Sequence, residues 1–267
     1  MVTAEATSLP QPPPYPAGRN LLAGQNVLIT AAAGTGIGFA AAKRAIEEGA
    51  RIFVSDIHER RLNETVERLK AIGPERVWSR PCDVTSQGDV DALVSAAVST
   101  LGHVDVLINN AGLGGTANLV DMKDEEWSRV IDVSLTSVMR MTRAILPHMQ
   151  ARGRGAIVNN ASVLGWRAQS GQSHYAAAKA GVMALTRCAA IEAAPFGVRI
   201  NAVAPSIAMH AFLAKTTTPE LLAELARREA FGRPAEVWEV ANVMIFLASD
   251  LASYLTGEVL SVSSQHP

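Results

Sequence analysis

The chain has 267 residues, of which 48% are hydrophobic and 18% charged, enough apolar material for one large α/β domain or two small ones. A formal net charge of −1 gives no electrostatic footprint for nucleic acid or an anionic membrane surface. No apolar run approaches the ~18–20 residues of a membrane span, and the N-terminus lacks the layout of a secretion signal.

The two cysteines, Cys82 and Cys188, have neither metal-site spacing nor a disulfide framework, so the expectation is a cytoplasmic protein with reduced thiols and no metal. Residues 1 to about 20 are polar and proline-rich (Pro10, Pro12, Pro13, Pro14, Pro16). They read as an arm outside the core, either a passive tail or a strap on a neighbouring subunit. Residues 21–267 then read as one domain. Short apolar runs at Asn26–Thr30, Arg51–Ser55, Arg76–Arg80, Val104–Asn109, Gly155–Asn159, Val198–Val203 and Glu258–Val262 predict seven strands. Amphipathic stretches such as Phe39–Glu48 and Glu59–Ile72 predict helices between them. Strands apolar at nearly every position, alternating with helices, imply a doubly wound parallel sheet covered on both faces.

The first strand runs into Thr30-Ala-Ala-Ala-Gly34-Thr35-Gly36-Ile37-Gly38 and then a helix. Glycines at such a turn let the backbone approach a diphosphate, and the helix N-terminus offers free N–H groups. Asp56, at the end of the second strand, is placed to accept hydrogen bonds from adenosine ribose hydroxyls and to repel a 2′-phosphate. NAD is therefore expected over NADP, with Arg60 and Arg61 keeping NADP open; as an alternative, Asp56 would only cap the next helix.

Farther on, Tyr175 and Lys179 lie four residues apart, one turn apart on a helix, with Ser162 upstream. A cation beside a phenol favours the phenolate and draws its pKa down from ~10, which suits an acid/base group. The same spacing would arise from a surface Tyr and a snorkelling Lys. The glycine turn, Asp56 and Ser162 favour the chemical reading.

With this turn, Asn109-Asn110-Ala111-Gly112, Ser162 and Tyr175/Lys179 in order, residues 21 to about 262 resemble the short-chain dehydrogenase/reductase family. The resemblance implies Asp83 and Val84 beside the adenine and Asn109 to Gly112 as a wall of the cofactor cleft. Pro205 and Ile207 would lie beyond the sixth strand at the cofactor. It implies Tyr175 as acid/base, Lys179 on the nicotinamide ribose, Ser162 on the reacting oxygen, and a homotetramer packed through the small-residue helix from Tyr175 to Ala194.

Three departures stand out: Ala31 replaces the family's first glycine in a turn one residue longer, Ser134 takes the place of the tetrad's Asn, and His210 that of a Thr. The stretches around Gly34, Asn159–Gln169 and Ser261–Pro267 are similar to an actinobacterial branch acting on coenzyme A thioesters of a methylated hydrindane propanoate from cholesterol. That implies a bicyclic alcohol or ketone as substrate. The alternatives are a 3-oxoacyl-thioester reductase and, more remotely, a dinucleotide-binding regulator without turnover. Ser206–Ala230 is expected to form a lid, with Trp166, Arg167 and Gln169 near the substrate.

Overall fold

A computed structural model describes residues 11–209 and 218–265. The first half runs β1 (Asn26–Ile29), α1 (Ile37–Glu47), β2 (Arg51–Val54), α2 (Glu59–Lys70), β3 (Val77–Ser79), α3 (Gln87–Leu101) and β4 (Val106–Asn109). Next come α4 (Asp124–Ile131), a π-helical turn (Asp132–Thr136), α5 (Ser137–Arg152), β5 (Gly155–Asn160), α6 (Ser173–Ala193) and β6 (Val198–Pro205). The chain closes with β7 (Ala208–Met209), α7 (Pro219–Arg228), β8 (Ala235–Glu236), α8 (Val237–Ala248) and β9 (Val259–Val262).

Seven strands form one parallel sheet in the order β3-β2-β1-β4-β5-β6-β9, as the apolar runs predict. Their ends move little: Val104–Asn109 shortens to Val106–Asn109 and Val198–Val203 extends to Pro205. The strands lack polar alternation because both faces are covered. Val27 and Ile29 pack with α1, α2 and α8, while Leu28 faces α3, α5 and α6. β1 pairs with β2 on one side and β4 on the other, so strand order reverses there and opens a crevice beyond the carboxyl ends.

Residues 11–20 lie against their own chain. The arm is held by an ion pair at the carboxyl end of α1, between Arg44 (5% exposed) and the C-cap residue Glu48 (0% exposed), 2.5 Å apart. Arg44 donates to the carbonyls of Pro16 and Ala17 at 2.6 and 3.2 Å, and Glu48 accepts from the amides of Arg19 and Leu21 at 2.8 and 2.9 Å. Tyr15 sits edge-on to Trp238 of α8 and under the Lys43 ammonium. Removing one member of a buried pair strands the other charge. Glu48→Ala is accordingly expected to destabilise the fold by about 3–5 kcal/mol in urea unfolding, whereas Arg60→Ala, whose pair with Glu64 is exposed, changes it little.

Candidate active site

The chain leaves β1 at Thr30, whose buried Oγ1 accepts from the amides of Asn110 and Ala111 at 3.0 and 3.2 Å and so ties the glycine turn to the end of β4. Ala31, where the family carries glycine, has a left-handed φ of +50°, and Gly34 follows at +95°. The backbone thus keeps the glycine geometry although Ala31 carries a Cβ, a strain of the order of 1 kcal/mol. The extra residue of the turn is absorbed by α2. Thr65 accepts from Gly34 N at 3.1 Å, and Arg68, stacked 3.9 Å over the Phe39 ring, donates to Gly34 O at 2.8 Å.

Gly38 has no room for a side chain, since a Cβ would meet Ala31 O at 2.3 Å and Asn110 Nδ2 at 2.4 Å. At Gly34 and Gly36 a Cβ would face open space. No side chain caps α1, which begins at Ile37 with Gly36 as its N-cap. A bare helix N-terminus behind open glycines, Thr35 between them, is the geometry a diphosphate takes, and these residues fit one.

Asp56 is 8% exposed and accepts from Ala33 N at 3.2 Å and His58 N at 3.0 Å. Burial raises its pKa, partly offset by the Ala33 amide and by Arg61. Asp56 therefore braces the turn. Arg60 points away to Glu64. Asp83 accepts from the amide and hydroxyl of Thr85, and Val84 is buried beside it. Asp83, Ile57 and Val133 line a cavity of about 650 Å³ that extends to Trp127 on α4.

At the ends of β4 and β5 a ladder of amides crosses the site. Asn110 Nδ2 donates to Ala31 O at 3.0 Å, and Asn160 Nδ2 to Asn110 Oδ1 at 2.9 Å. The Lys179 ammonium, 2% exposed, donates to Asn160 O at 2.6 Å. A Cβ on Gly112 would lie 3.2 Å from that Nζ, so a glycine here leaves the ammonium its space. Below, Asn109 donates to Asn159 Oδ1 at 2.9 Å and Asn159 to Thr186 Oγ1 at 2.9 Å.

Ser162 ends this region in extended backbone, 9% exposed; its Oγ accepts from Leu164 N at 3.2 Å and acts on the Tyr175 phenol to favour the phenolate. Ser134 sits on the π-helical turn, fully buried, its Oγ donating to Leu113 O and accepting from Leu113 N, both at 2.9 Å. Its hydroxyl proton is thus spent on fixing the loop after Gly112.

Burial acts on Tyr175 in the direction opposite to that expected from Lys179. Lys179 Nζ is 5.5 Å from the phenol ring centroid, but enclosure disfavours charge on both groups. The phenol is pushed up to about 12, opposed by Ser162, and the ammonium is pushed down to about 8. Tyr175 keeps some exposed surface, so water tempers its shift while the direction stands.

Pro205 ends β6, and Ile207 O accepts from Ala235 N at 2.9 Å, where β7 and β8 pair and brace the segment beyond the sheet. α7 supplies the helical part of the expected lid, while His210 lies outside the described residues. Arg167 donates to Gln265 Oε1 at 2.8 Å. Gln265 and Ser264 in turn donate to Glu229, a carboxylate 4% exposed that follows α7. The loop after Ser162, the segment after α7 and the tail are thereby joined.

A family model described as Enoyl-(Acyl carrier protein) reductase matches residues 31–264. The chain belongs to the short-chain dehydrogenase/reductase family. The enzyme is 64% identical over 252 residues, 94% of its chain and 96% of the relative, to a (5R,7aS)-5-hydroxy-7a-methyl-1-oxo-2,3,5,6,7,7a-hexahydro-1H-indene-carboxyl-CoA reductase of Mycobacterium tuberculosis. It is 39% identical over 249 residues, 90% of its chain and 97% of the relative, to a 3-oxoacyl-[acyl-carrier-protein] reductase of Thermotoga maritima. The crystal structure of carveol dehydrogenase from Mycobacterium avium in complex with NAD has a TM-score of 0.85 at 30% identity, covering 91% of this chain and 97% of that one. The family's cofactor is a nicotinamide dinucleotide, and the enzyme is an oxidoreductase. Among the described residues no helix is long and apolar enough to cross a membrane.

Sequence reasoning overlooked Thr65, Arg68 and Asn160. Asn160 lies in a quoted motif, so a polar residue at a strand end was its available signal; Thr65 and Arg68 sit on an amphipathic helix with none. Two outcomes follow from the strained turn and the buried ammonium. Ala31→Gly should stabilise the fold by about 1 kcal/mol in thermal unfolding. Between pH 8 and 10.5 the unfolded chain keeps a Lys179 proton that the folded chain gives up, so the unfolded state binds more protons and stability rises with pH across that window. Urea titrations of Lys179→Met should lose that rise.

Proposed function

We propose that the enzyme interconverts a ketone and a secondary alcohol on a bicyclic, steroid-derived acyl-CoA thioester, using NAD. The reaction class is carried by Ser162 acting on the Tyr175 phenol beside buried Lys179, at the crevice where the glycine turn opens. The substrate class is supported by the 64% identity, across nearly the whole chain, to the Mycobacterium tuberculosis reductase. The 3-oxoacyl-thioester alternative has the weaker support of a 39% relative. A regulator without turnover would have no use for Ser162, Tyr175 and Lys179 together.

The bound nicotinamide supplies or accepts the hydride. The chain's own part is to hold the substrate oxygen and move its proton. Ser162 and Tyr175 both present hydroxyls to one oxygen; Tyr175 donates its proton as that oxygen gains charge and retrieves it in the reverse direction. A phenol held neutral by burial is the right starting form for donation to a ketone. Lys179, anchored on Asn160 O, places a cation near the phenolate left behind.

The turn from Gly34 through Thr35, Gly36 and Ile37 to Gly38 cradles the diphosphate. Asp56 takes the adenosine ribose, and Asp83 with Val84 flanks the adenine. Asn110, Ala111 and Gly112 wall the cleft, and Pro205 and Ile207 close it over the nicotinamide. NAD is favoured over NADP because the Asp56 carboxylate would repel a 2′-phosphate, while Arg60 and Arg61 keep NADP as the alternative. Residues 21–267 act as one catalytic domain, with Tyr15 to Arg19 of the preceding arm strapped to it, in the cytoplasm and in cholesterol catabolism. The small exposed residues Ala177, Ala180 and Ala184 of α6 support a homotetramer packed through that helix.

Tyr175→Phe is expected to lower turnover by about 10²–10⁴-fold while fluorescence titration shows unchanged NADH affinity; surviving activity would refute the assignment of Tyr175. Assays with hydrindane-type acyl-CoA thioesters beside simple 3-hydroxyacyl and 3-oxoacyl thioesters should show turnover on the bicyclic compounds and preference for NAD(H). Turnover on the simple thioesters alone would overturn the substrate class.

A further inference from the structure

The Asn110–Asn160 step of the amide ladder leaves one side-chain atom unused, and its chemistry is fixed by its neighbours. Asn110 must direct Nδ2 at Ala31 O, because a carbonyl only accepts. Its Oδ1 therefore faces Asn160, which must answer with its own Nδ2. The orientation of the Asn160 amide follows: Oδ1 is turned away from Asn110. This Oδ1 is buried and has no hydrogen-bond partner among the described residues. A buried carbonyl oxygen left unpaired costs about 1–3 kcal/mol, and an Asn at a strand end is kept at that cost when something completes it.

We infer that Asn160 is a cofactor-binding residue whose Oδ1 accepts a hydrogen bond from the nicotinamide-riboside half of the dinucleotide. The placement commits the donor to that half. Asn160 is bonded through its carbonyl to Lys179 and through its side chain to Asn110 on the cleft wall, and it stands two residues before Ser162. The groups able to donate there are a ribose hydroxyl and the carboxamide NH₂. The diphosphate offers no proton, and the adenine lies at the Asp83 end. The inference rests on the family's cofactor and not on the choice of substrate. It also gives the chain a continuous connection from the glycine turn (Ala31 O) through two side-chain amides to the nicotinamide, parallel to the one through Lys179.

The test compares wild type with Asn160→Leu, close in size but without the amide, by calorimetric titration with NADH, ADP-ribose and ADP. Wild-type binding of NADH is the internal check, and its failure would count against the dinucleotide reading rather than against Asn160. The expected result is NADH affinity weakened roughly three- to tenfold, the size of one lost hydrogen bond, with ADP unchanged. An equal loss for ADP-ribose identifies a ribose hydroxyl as the donor; an unaffected ADP-ribose identifies the carboxamide, and 3-acetylpyridine adenine dinucleotide, which lacks that NH₂, should then bind both proteins alike. The kcat–pH profile should keep its shape, because Lys179 leans on the backbone carbonyl, which the substitution retains.

Equal weakening of NADH and ADP, or no change in either, would overturn the inference. If Asn160→Leu does not unfold cooperatively, Asn160→Ala removes the amide without new bulk and goes through the same titrations. Failure of both to fold would make Asn160 a stability residue and likewise overturn it.

Discussion

An ammonium withdrawn from water loses several kcal/mol of hydration unless oxygen atoms replace it, and Lys179 is buried with the carbonyl of Asn160 2.6 Å from its Nζ. Much of the site answers to this demand. β4 stops pairing with β5 at Asn109 opposite Asn159, so Asn160 stands beyond that ladder. Gly112 leaves a gap for the ammonium that any side chain would narrow. The π-helical turn carries Ser134 to Leu113 and locks the next stretch of backbone in place. Even so, hydration is incompletely replaced, which is why Lys179 gives up its proton more readily than a lysine in water.

The glycine turn and Lys179 are parts of one hydrogen-bonded body. Thr30 grips the backbone of Asn110 and Ala111, and Asn110 reaches back to Ala31. Asp56 and α2 hold the outer side of the same turn. Preorganisation of this kind lowers the cost of ordering side chains when ligand arrives.

The strands, the glycine turn and the order of motifs were legible in the sequence because they rest on local signals: apolar runs, glycines at a strand end, a fixed helical spacing. What was not legible depends on separate segments meeting. Thr65 and Arg68 read as ordinary helix surface until the longer turn leans on them. Nothing in the sequence marks Asp132–Thr136 as a π-helical turn or pairs Ser134 with Leu113. Enclosure at Tyr175 and Lys179 was not legible for a related reason: the spacing shows that a cation is near, but not that burial disfavours charge on both groups. Residues 11–20 likewise look unstructured by composition, and their attachment depends on Arg44 and Glu48.

The buried amides deeper in the sheet have a consequence for how the chain folds. Parallel strands have no hairpin to set their alignment, and many of their contacts join distant parts of the sequence, so such sheets form slowly and are exposed to slippage. In β4 and β5, Asn109 stands directly opposite Asn159, and Asn159 is satisfied in turn by Thr186 of α6. Sliding β5 by one residue towards its carboxyl end would set Asn109 against Val158 and leave polar groups unpaired in the core, a penalty that apolar strands alone would not impose. The amides thus act as a proofreading element for strand alignment, rejecting a misaligned sheet before the helices close over it.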